Sequence, residues 1–137
     1  MRKVPDWHHW AMALAETVST RSKDPITNVG SVILNSKHKV IGLGYNGFPA
    51  GEPESDSLWA RPTKYEICIH SEDNAIRNCT EDTKGCTLYT TLFPCINCSR
   101  LIVAAGIIKV YYKDDKYYNQ ETIELFTKHN IKLKELK

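Results

Sequence analysis

Long apolar runs are missing from this 137-residue chain. No stretch approaches the roughly 20 consecutive apolar residues that a membrane-spanning helix needs, so the sequence predicts no membrane helix. Residues 1–6 have no apolar run behind them, which argues against a secretory signal and favours a soluble, cytoplasmic protein.

An excess of charge of one sign is also missing, because Lys and Arg together exceed Asp and Glu by only two. A dedicated nucleic-acid binder usually carries a strongly basic surface, so this balance counts weakly against such a partner. The chain is 42% hydrophobic and 25% charged, which is typical of a globular protein rather than a disordered one. Its length predicts one domain over residues 1–137.

Cysteines are few, and their number is odd: they stand at positions 68, 79, 86, 95 and 98. An odd count without a secretory signal indicates a reducing compartment, where closely spaced cysteines more often bind metal or do chemistry than form disulfides. Cys68, Cys79 and Cys86 are interpreted as buried free thiols.

Hydrophobic periodicity and turn residues predict nine elements in the order α-β-β-α-β-α-β-α-β. Helices are predicted from the cap Asp6 to residue 21, and over residues 70–78, 95–105 (ended by Gly106) and 119–130. Strands are predicted over residues 29–34, 40–45, 86–92, 107–112 and 131–136. A hairpin followed by strand–helix repeats indicates an α/β fold, with a five-stranded mixed sheet and helices on both faces.

Residues 44–64 contain three prolines and three glycines and have no hydrophobic period. Long loops of this kind are usually functional or mobile, so this segment is interpreted as a lid or a ligand-binding loop. A plain surface excursion is the alternative.

Three potential zinc ligands stand in the pattern His70, Cys95 and Cys98. Catalytic zinc sites use three protein ligands and keep a fourth position for water. The two cysteines are one helical turn apart at a predicted helix start, where the helix dipole favours thiolates. A structural zinc site would usually show a fourth Cys or His ligand.

Glu72 follows His70 by two residues. As a fourth ligand it would close the metal site, so it is better interpreted as a proton carrier beside the zinc. Zinc lowers the pKa of water to about 7, and a neighbouring carboxylate can take the proton and pass it on. The pattern His70-Ser71-Glu72 with Pro94-Cys95-Ile96-Asn97-Cys98 is the known signature of zinc-dependent base deaminases.

From about residue 10 to residue 133, the chain closely resembles the deoxycytidylate (dCMP) deaminases. The resemblance lies in Arg21-Ser22-Lys23-Asp24-Pro25, Val29-Gly30, Gly42-Leu43-Gly44-Tyr45-Asn46-Gly47, His70-Ser71-Glu72, Asn74-Ala75-Ile76, Lys84-Gly85-Cys86, Leu92-Phe93-Pro94-Cys95 and Asp115-Lys116-Tyr117. Two positions depart from the family: Ser71 stands where Ala is usual, and Asp73 where Leu is usual.

The resemblance implies a three-layer cytidine-deaminase-like fold and a homohexamer. Some relatives carry a second, structural zinc held by extra cysteines, and since no cysteine stands before Cys68, one zinc ion per chain is predicted. The resemblance further implies hydrolysis of dCMP to dUMP and ammonia, in the supply of dTMP precursors. Glu72 would pass a proton to N3 of cytosine and then to the departing amine. The substrate contacts that it implies are Arg21, Ser22 and Lys23 at the phosphate, either Asn28 or Asn35 together with Tyr117 at the sugar, and Ser71 and Phe93 at the base.

The resemblance also implies activation by dCTP and inhibition by dTTP, at a site formed by Gly44, Tyr45, Asn46 and Gly47. Glycines there would let a triphosphate approach exposed backbone N–H groups, and a Mg²⁺ ion would bridge the phosphates. The alternative for Gly44–Gly47 is a tight turn after the second strand. Likewise, the alternative for Arg21 and Lys23 is a solvated helix C-terminus, and the alternative for Asn28 and Asn35 is a turn.

Two other functions use the same metal motif. One is deamination of another base or of a polynucleotide, which would call for a basic groove and stacking aromatics. The other is a catalytically inactive zinc-binding module, against which the intact Glu72 argues.

Overall fold

Five strands form one mixed sheet in the computed structural model, which describes residues 1–52, 55–59 and 68–137. The strands are β1 (Gly30–Leu34), β2 (Val40–Tyr45), β3 (Thr87–Leu92), β4 (Lys109–Asp114) and β5 (Lys132–Glu135). Their order across the sheet is β2-β1-β3-β4-β5. β1 runs antiparallel to β2 and β3, while β3, β4 and β5 run parallel.

Within the described ranges, four α-helices connect and cover these strands: α1 (Trp7–Ser19), α2 (Ser71–Arg77), α3 (Ile96–Ala104) and α4 (Gln120–Lys128). The predicted order of helices and strands is confirmed, and the bounds differ from the predicted ones by at most two residues. A short 3₁₀-helix, Asp56–Trp59, lies in the segment interpreted as a lid or loop and was not predicted. Residues 53, 54 and 60–64 of that segment lie outside the described residues.

Alternating side chains of the strands build two apolar layers, one on each face of the sheet. Val32 of β1 and Tyr89 of β3 pack with Ala11 of α1 on one face. Ile33 and Leu88, their neighbours in sequence, face a second cluster that includes Ala75, Ile102 and Phe126 from α2, α3 and α4. The predicted mixed sheet with helices on both faces is therefore confirmed.

Local capping explains where the helices begin and end. The Asp6 carboxylate accepts a hydrogen bond from the His9 N–H at 2.8 Å and starts α1, as predicted. Gly106, at φ +76°, ends helix α3, also as predicted. Across the described ranges, no helix has both the length and the apolar character needed to cross a bilayer.

Candidate metal centre and substrate pocket

The three predicted metal ligands meet where α2 and α3 begin. His70 is the N-cap residue of α2, Cys95 is the N-cap residue of α3, and Cys98 lies in the first turn of α3. The Nδ1 atom of His70 is 3.5 Å from Sγ of Cys95 and 3.4 Å from Sγ of Cys98. Among the described residues, these three form the one cluster whose ligand atoms all lie within 4.8 Å of each other.

These distances fit a zinc ion. With Zn–S of about 2.3 Å and Zn–N of about 2.0 Å, a nitrogen and a sulfur on one tetrahedral zinc stand roughly 3.6 Å apart. The donor set of one imidazole and two thiols also suits zinc and leaves one position of the tetrahedron for another ligand.

The two thiols differ strongly in acidity. The Cys98 thiol and the His70 ring hydrogen-bond to the Cys95 sulfur, and together with the Cys98 N–H at 3.4 Å they lower the pKa of Cys95 to about 4. The same contact and burial raise the pKa of Cys98. Both thiols must lose their protons when they bind a metal ion, and the lowered pKa of Cys95 favours that loss at its sulfur.

Glu72 lies beside this cluster, and its side chain is nearly buried, with 4% of the residue exposed. Burial raises the pKa of its carboxyl, so the protonated form is favoured more than in water. The Ser71 hydroxyl donates to Oε1 of Glu72 at 2.5 Å, and it lies 2.8 Å from the Ser31 hydroxyl. The carboxyl is therefore oriented by buried groups and is suited to hold and release a proton.

A cavity of about 240 Å³ opens over the cluster. Its lining includes His70, Ser71, Glu72, Phe93, Cys95 and Tyr117, all of which were predicted as site residues. It also includes Asp24, Thr27, Val29, Asn46, Cys68 and Leu92. Asp24, Thr27, Val29, Cys68 and Leu92 were not expected as site residues. Asp24, Val29 and Leu92 do stand within the family-typical segments, so the sequence marked their stretches of chain without indicating which side chains would line the cavity.

Asn46 was predicted in a regulatory nucleotide site, and that role stays a prediction. In the structure it lies in the wall of this cavity, 6% exposed. Its Oδ1 accepts from the Val29 N–H at 2.9 Å, and its Nδ2 donates to the Thr27 carbonyl at 2.8 Å. Nδ2 also lies 3.4 Å from a carboxylate oxygen of Asp24. Asn46 therefore holds residues 24–29 against the end of β2.

The rest of the Gly44–Gly47 segment is used for packing within the chain. A side chain at Gly44 would meet the α2 backbone, because a Cβ atom there would lie 2.4 Å from the Ala75 nitrogen. The Tyr45 carbonyl accepts from the Asn74 side chain at 2.8 Å. The N–H of Gly47 donates to the Ile69 carbonyl at 3.0 Å, and the N–H of Asn46 donates to the Val29 carbonyl at 3.3 Å. The backbone N–H groups of residues 46 and 47, which we expected to be exposed, thus hydrogen-bond within the chain. This matches the alternative interpretation of the segment as a tight turn.

The expected phosphate contacts follow α1. The Ser22 hydroxyl donates to the Asn46 carbonyl at 2.8 Å, so this side chain also braces the cavity wall. Asn28 does the same through Nδ2, which donates to the Asp24 carbonyl at 2.8 Å. Arg21 and Lys23 are exposed and lie outside the lining of the cavity.

Asn35 is not brought to the cavity. It lies in the turn after β1, where Oδ1 accepts from the N–H groups of Lys37 and Lys39 at 2.9 and 3.0 Å. Ser31, at the other end of β1, is four residues away, or roughly 13 Å along an extended strand. The alternative interpretation, a turn-forming asparagine, matches this geometry, and Asn35 is removed from the expected sugar contacts.

Two aromatic residues border the cavity in different ways. Phe93 is 2% exposed and packs edge-on against Tyr112, with ring centroids 4.9 Å apart. Tyr117 is 45% exposed at the rim, and the Lys116 ammonium lies 5.3 Å from its ring centroid. Phe93 therefore forms a fixed wall, while Tyr117 stands at the entrance.

The remaining cysteines are free thiols, as interpreted, but only Cys86 is buried, while Cys68 and Cys79 are half-buried. Burial raises the pKa of Cys86 and raises that of Cys79 to about 11, which keeps both protonated and unreactive at neutral pH. Cys68 is half-buried and lines the cavity.

Comparison with known proteins places the chain among deaminases. Residues 5–114 match the family model described as the cytidine and deoxycytidylate deaminase zinc-binding region. Human deoxycytidylate deaminase is 42% identical over 123 residues, which cover 85% of this chain and 69% of the human protein. Deoxycytidylate deaminase of Mycobacterium phage D29 is 35% identical over 79% of this chain and 94% of the phage protein.

Solved structures agree with these relatives. The dCMP deaminase of the cyanophage S-TIM5, in complex with dCMP and dUMP, superimposes with a TM-score of 0.81 at 25% identity, covering 98% of this chain and all of the phage chain. A tRNA:A34 deaminase shares the fold alone, with a TM-score of 0.62 at 19% identity over 93% of this chain and 98% of that chain. The chain belongs to the cytidine and deoxycytidylate deaminase family, and it is a deaminase, a hydrolase of carbon–nitrogen bonds.

Proposed function

We propose that this enzyme hydrolyses dCMP to dUMP and ammonia, in the supply of dTMP precursors. The observation that carries the proposal is the buried Glu72 beside the His70–Cys95–Cys98 cluster, at the base of one cavity. The choice of dCMP is supported by the names of the relatives and by the dCMP and dUMP bound in the cyanophage protein.

Zinc is the ion that the three ligands would hold, and it supplies a hydroxide nucleophile at neutral pH by lowering the pKa of water to about 7. Cys95 and Cys98 contribute thiolates, and His70 contributes its Nδ1 atom. His70 and Cys95 are themselves the N-cap residues of α2 and α3, so the positions of these ligands are fixed by the starts of the two helices.

Glu72 moves the protons. Cytosine becomes electrophilic at C4 only when N3 is protonated, and the attacking water must lose both of its protons to become the new carbonyl oxygen. The Glu72 carboxylate takes the first proton from the water and delivers it to N3. It then takes the second proton from the oxygen now bonded to C4 and delivers it to the amine, which leaves as ammonia. Burial raises the pKa of Glu72, which favours its holding each proton between these transfers.

The cavity wall provides the remaining contacts in this proposal. Phe93 packs against the base, and the backbone N–H of Ser71 donates to the base carbonyl. Tyr117 covers the sugar at the rim, near Asn28. Arg21 and Lys23 reach the phosphate from the exposed end of α1, because Arg can bind a phosphate through two N–H groups and Lys adds a charge.

Regulation and assembly are proposals of the same kind. Activation by dCTP and inhibition by dTTP, with Mg²⁺ on the triphosphate, rest on the family resemblance, as does a homohexamer of single-domain chains. In the described geometry, the amides of Asn46 and Gly47 bond within the chain, so a regulatory nucleotide would contact side chains in preference to these amides.

The deciding experiment is a deamination assay with the zinc-loaded protein, followed through the loss of cytosine absorbance and the release of ammonia. We expect turnover of dCMP, and much less of deoxycytidine or cytosine-containing oligonucleotides. Turnover of a tRNA adenosine or of single-stranded DNA, with dCMP inert, would show that the proposed substrate is wrong, while the proposed zinc chemistry would still hold. Absence of turnover on all of these, with zinc bound, would favour an inactive zinc module.

A further inference from the structure

Two fully buried hydroxyl groups lie behind Glu72, and neither belongs to the metal cluster. Ser31 is in β1 and Ser71 is the first residue of α2, and both are 0% exposed. Their oxygens are 2.8 Å apart, and Ser71 donates onward to Oε1 of Glu72 at 2.5 Å. The three side chains thus form one line of hydrogen bonds from β1, an interior strand of the sheet, to the carboxyl.

The direction of this line follows from the donors available. A hydroxyl has one hydrogen to donate, and Ser71 gives its hydrogen to Glu72. Ser31 must therefore donate to Ser71, which leaves the Ser71 oxygen as acceptor. Every other residue of β1 is apolar or glycine, and the whole strand is buried, so a hydroxyl at position 31 has to find its partner within the protein.

We infer that Ser31 and Ser71 are positioning residues that hold the Glu72 carboxyl in its working orientation through Oε1. The inference rests on the proposed function, in which this one carboxyl must deliver a proton to two different atoms. A side chain that serves two positions has to be aligned for both, and small misplacements of a catalytic group cost large factors in rate. Ser31 hydrogen-bonds to Ser71 and is not among the residues that line the cavity, so in this inference it acts through Ser71.

The sheet makes this support rigid. Ser31 lies between two paired strands, opposite Gly44 of β2 and Thr90 of β3. Its backbone cannot move without breaking pairing on both sides, so the Ser31 hydroxyl gives Ser71 a fixed reference point. The orientation of the Glu72 carboxyl is thereby fixed relative to the sheet as well as to its own helix.

The test is a double-mutant cycle with Ser31→Ala and Ser71→Ala. In dCMP assays we expect S71A to lower kcat about tenfold and S31A to lower it about threefold, with KM and zinc content unchanged, because S71A removes the hydrogen bond to the carboxyl and S31A removes only the bond behind it. The double variant should match S71A alone, since Ser31 acts through Ser71. Thr83→Val is the control: it removes a hydroxyl that donates to the Ala105 carbonyl at 2.6 Å, away from the cavity, and should leave kcat unchanged.

Crystal structures of the zinc-loaded variants give a readout that is independent of the substrate. We expect the Glu72 carboxyl to keep one orientation in the parent protein and to occupy a second one in S71A. Unchanged kcat together with an unchanged carboxyl in S71A would overturn the inference, and so would multiplicative effects of the two substitutions. A parent enzyme inert towards dCMP would contradict the proposed function instead, and the carboxyl position would still decide the inference.

Discussion

At the scale of single residues, Glu72 is the side chain on which the proposed chemistry depends. Replacing it with Ala removes the proton carrier and leaves His70, Cys95 and Cys98 in place, because Glu72 lies outside the set of ligands. We expect bound zinc to be retained and the rate to fall by about 10²–10⁴-fold. Zinc analysis and single-turnover rates measure the two effects, and a variant that kept more than about a hundredth of the rate would contradict this role.

Arg21 is predicted to bind the phosphate of the substrate. If its guanidinium binds that group, Arg21→Ala should weaken dCMP turnover at least about tenfold, since a hydrogen bond to a charged group contributes about 1.5–3 kcal/mol. Deoxycytidine, which has no phosphate, should be affected little. The measurement is kcat/KM for both substrates, with Arg2→Ala as an exposed cation control. An equal loss on both substrates would remove Arg21 from the substrate site.

At the scale of elements, the packing of β2 against α2 ties the sheet to the catalytic helix. Gly44 lies against the backbone of α2. A Cβ atom at position 44 would lie only 2.4–2.7 Å from backbone atoms of Ala75, Asn74 and Ser71. Helix α2 begins with Ser71 and Glu72 and is capped by His70. A side chain at position 44 therefore cannot be accommodated unless the helix that carries the catalytic carboxyl moves.

Gly44→Ala and Gly47→Ala make a matched pair within this segment. A Cβ atom at Gly47 would meet only the Tyr45 ring, at 3.9 Å, which is ordinary contact. We expect G44A to lower the free energy of unfolding by about 1–3 kcal/mol and to reduce activity, because the clash is with backbone. G47A should change stability by no more than about 0.5 kcal/mol. Chemical denaturation measures both, and equal effects would show that α2 does not constrain position 44.

At the scale of the whole molecule, a zinc ion would join two helices that are far apart in sequence. His70 comes from the start of α2, and the two cysteines come from the start of α3, which packs in the same apolar layer. A ligand that binds only the folded state stabilises it, by about 4 kcal/mol at a thousandfold excess over its dissociation constant. Removal of zinc should therefore lower the melting temperature while the sheet and its two apolar layers persist.

Chelation followed by thermal unfolding tests this expectation, and added zinc should restore the melting temperature. Cys98→Ala, which removes one ligand, should show a smaller zinc-dependent shift than the parent. Cys79→Ala is a matched control, since its thiol lies outside the cluster and it should keep the full shift. A melting temperature indifferent to zinc in the parent would mean that the ion does not bind at this junction.

Much of the fold was accessible from local sequence signals. Periodicity, Asp6 and Gly106 predicted the order of helices and strands and their bounds to within two residues, because capping and amphipathic spacing act over a few neighbours. The spacing of His70, Glu72, Cys95 and Cys98 likewise predicted a metal cluster with a carboxyl beside it. These groups gather because both ligand segments stand at helix starts.

Other features were decided only by tertiary structure. The sequence alone did not indicate that Asn46 would join the cavity wall or that Ser31 would reach Ser71 across 40 positions. These contacts follow from the strand order β2-β1-β3 and the burial of β1, which are set by pairing between distant segments. Residue types and local spacing determined the chemistry that this chain can perform. Long-range pairing decided which side chains surround that chemistry, because local signals carry no information about which distant residues share a face.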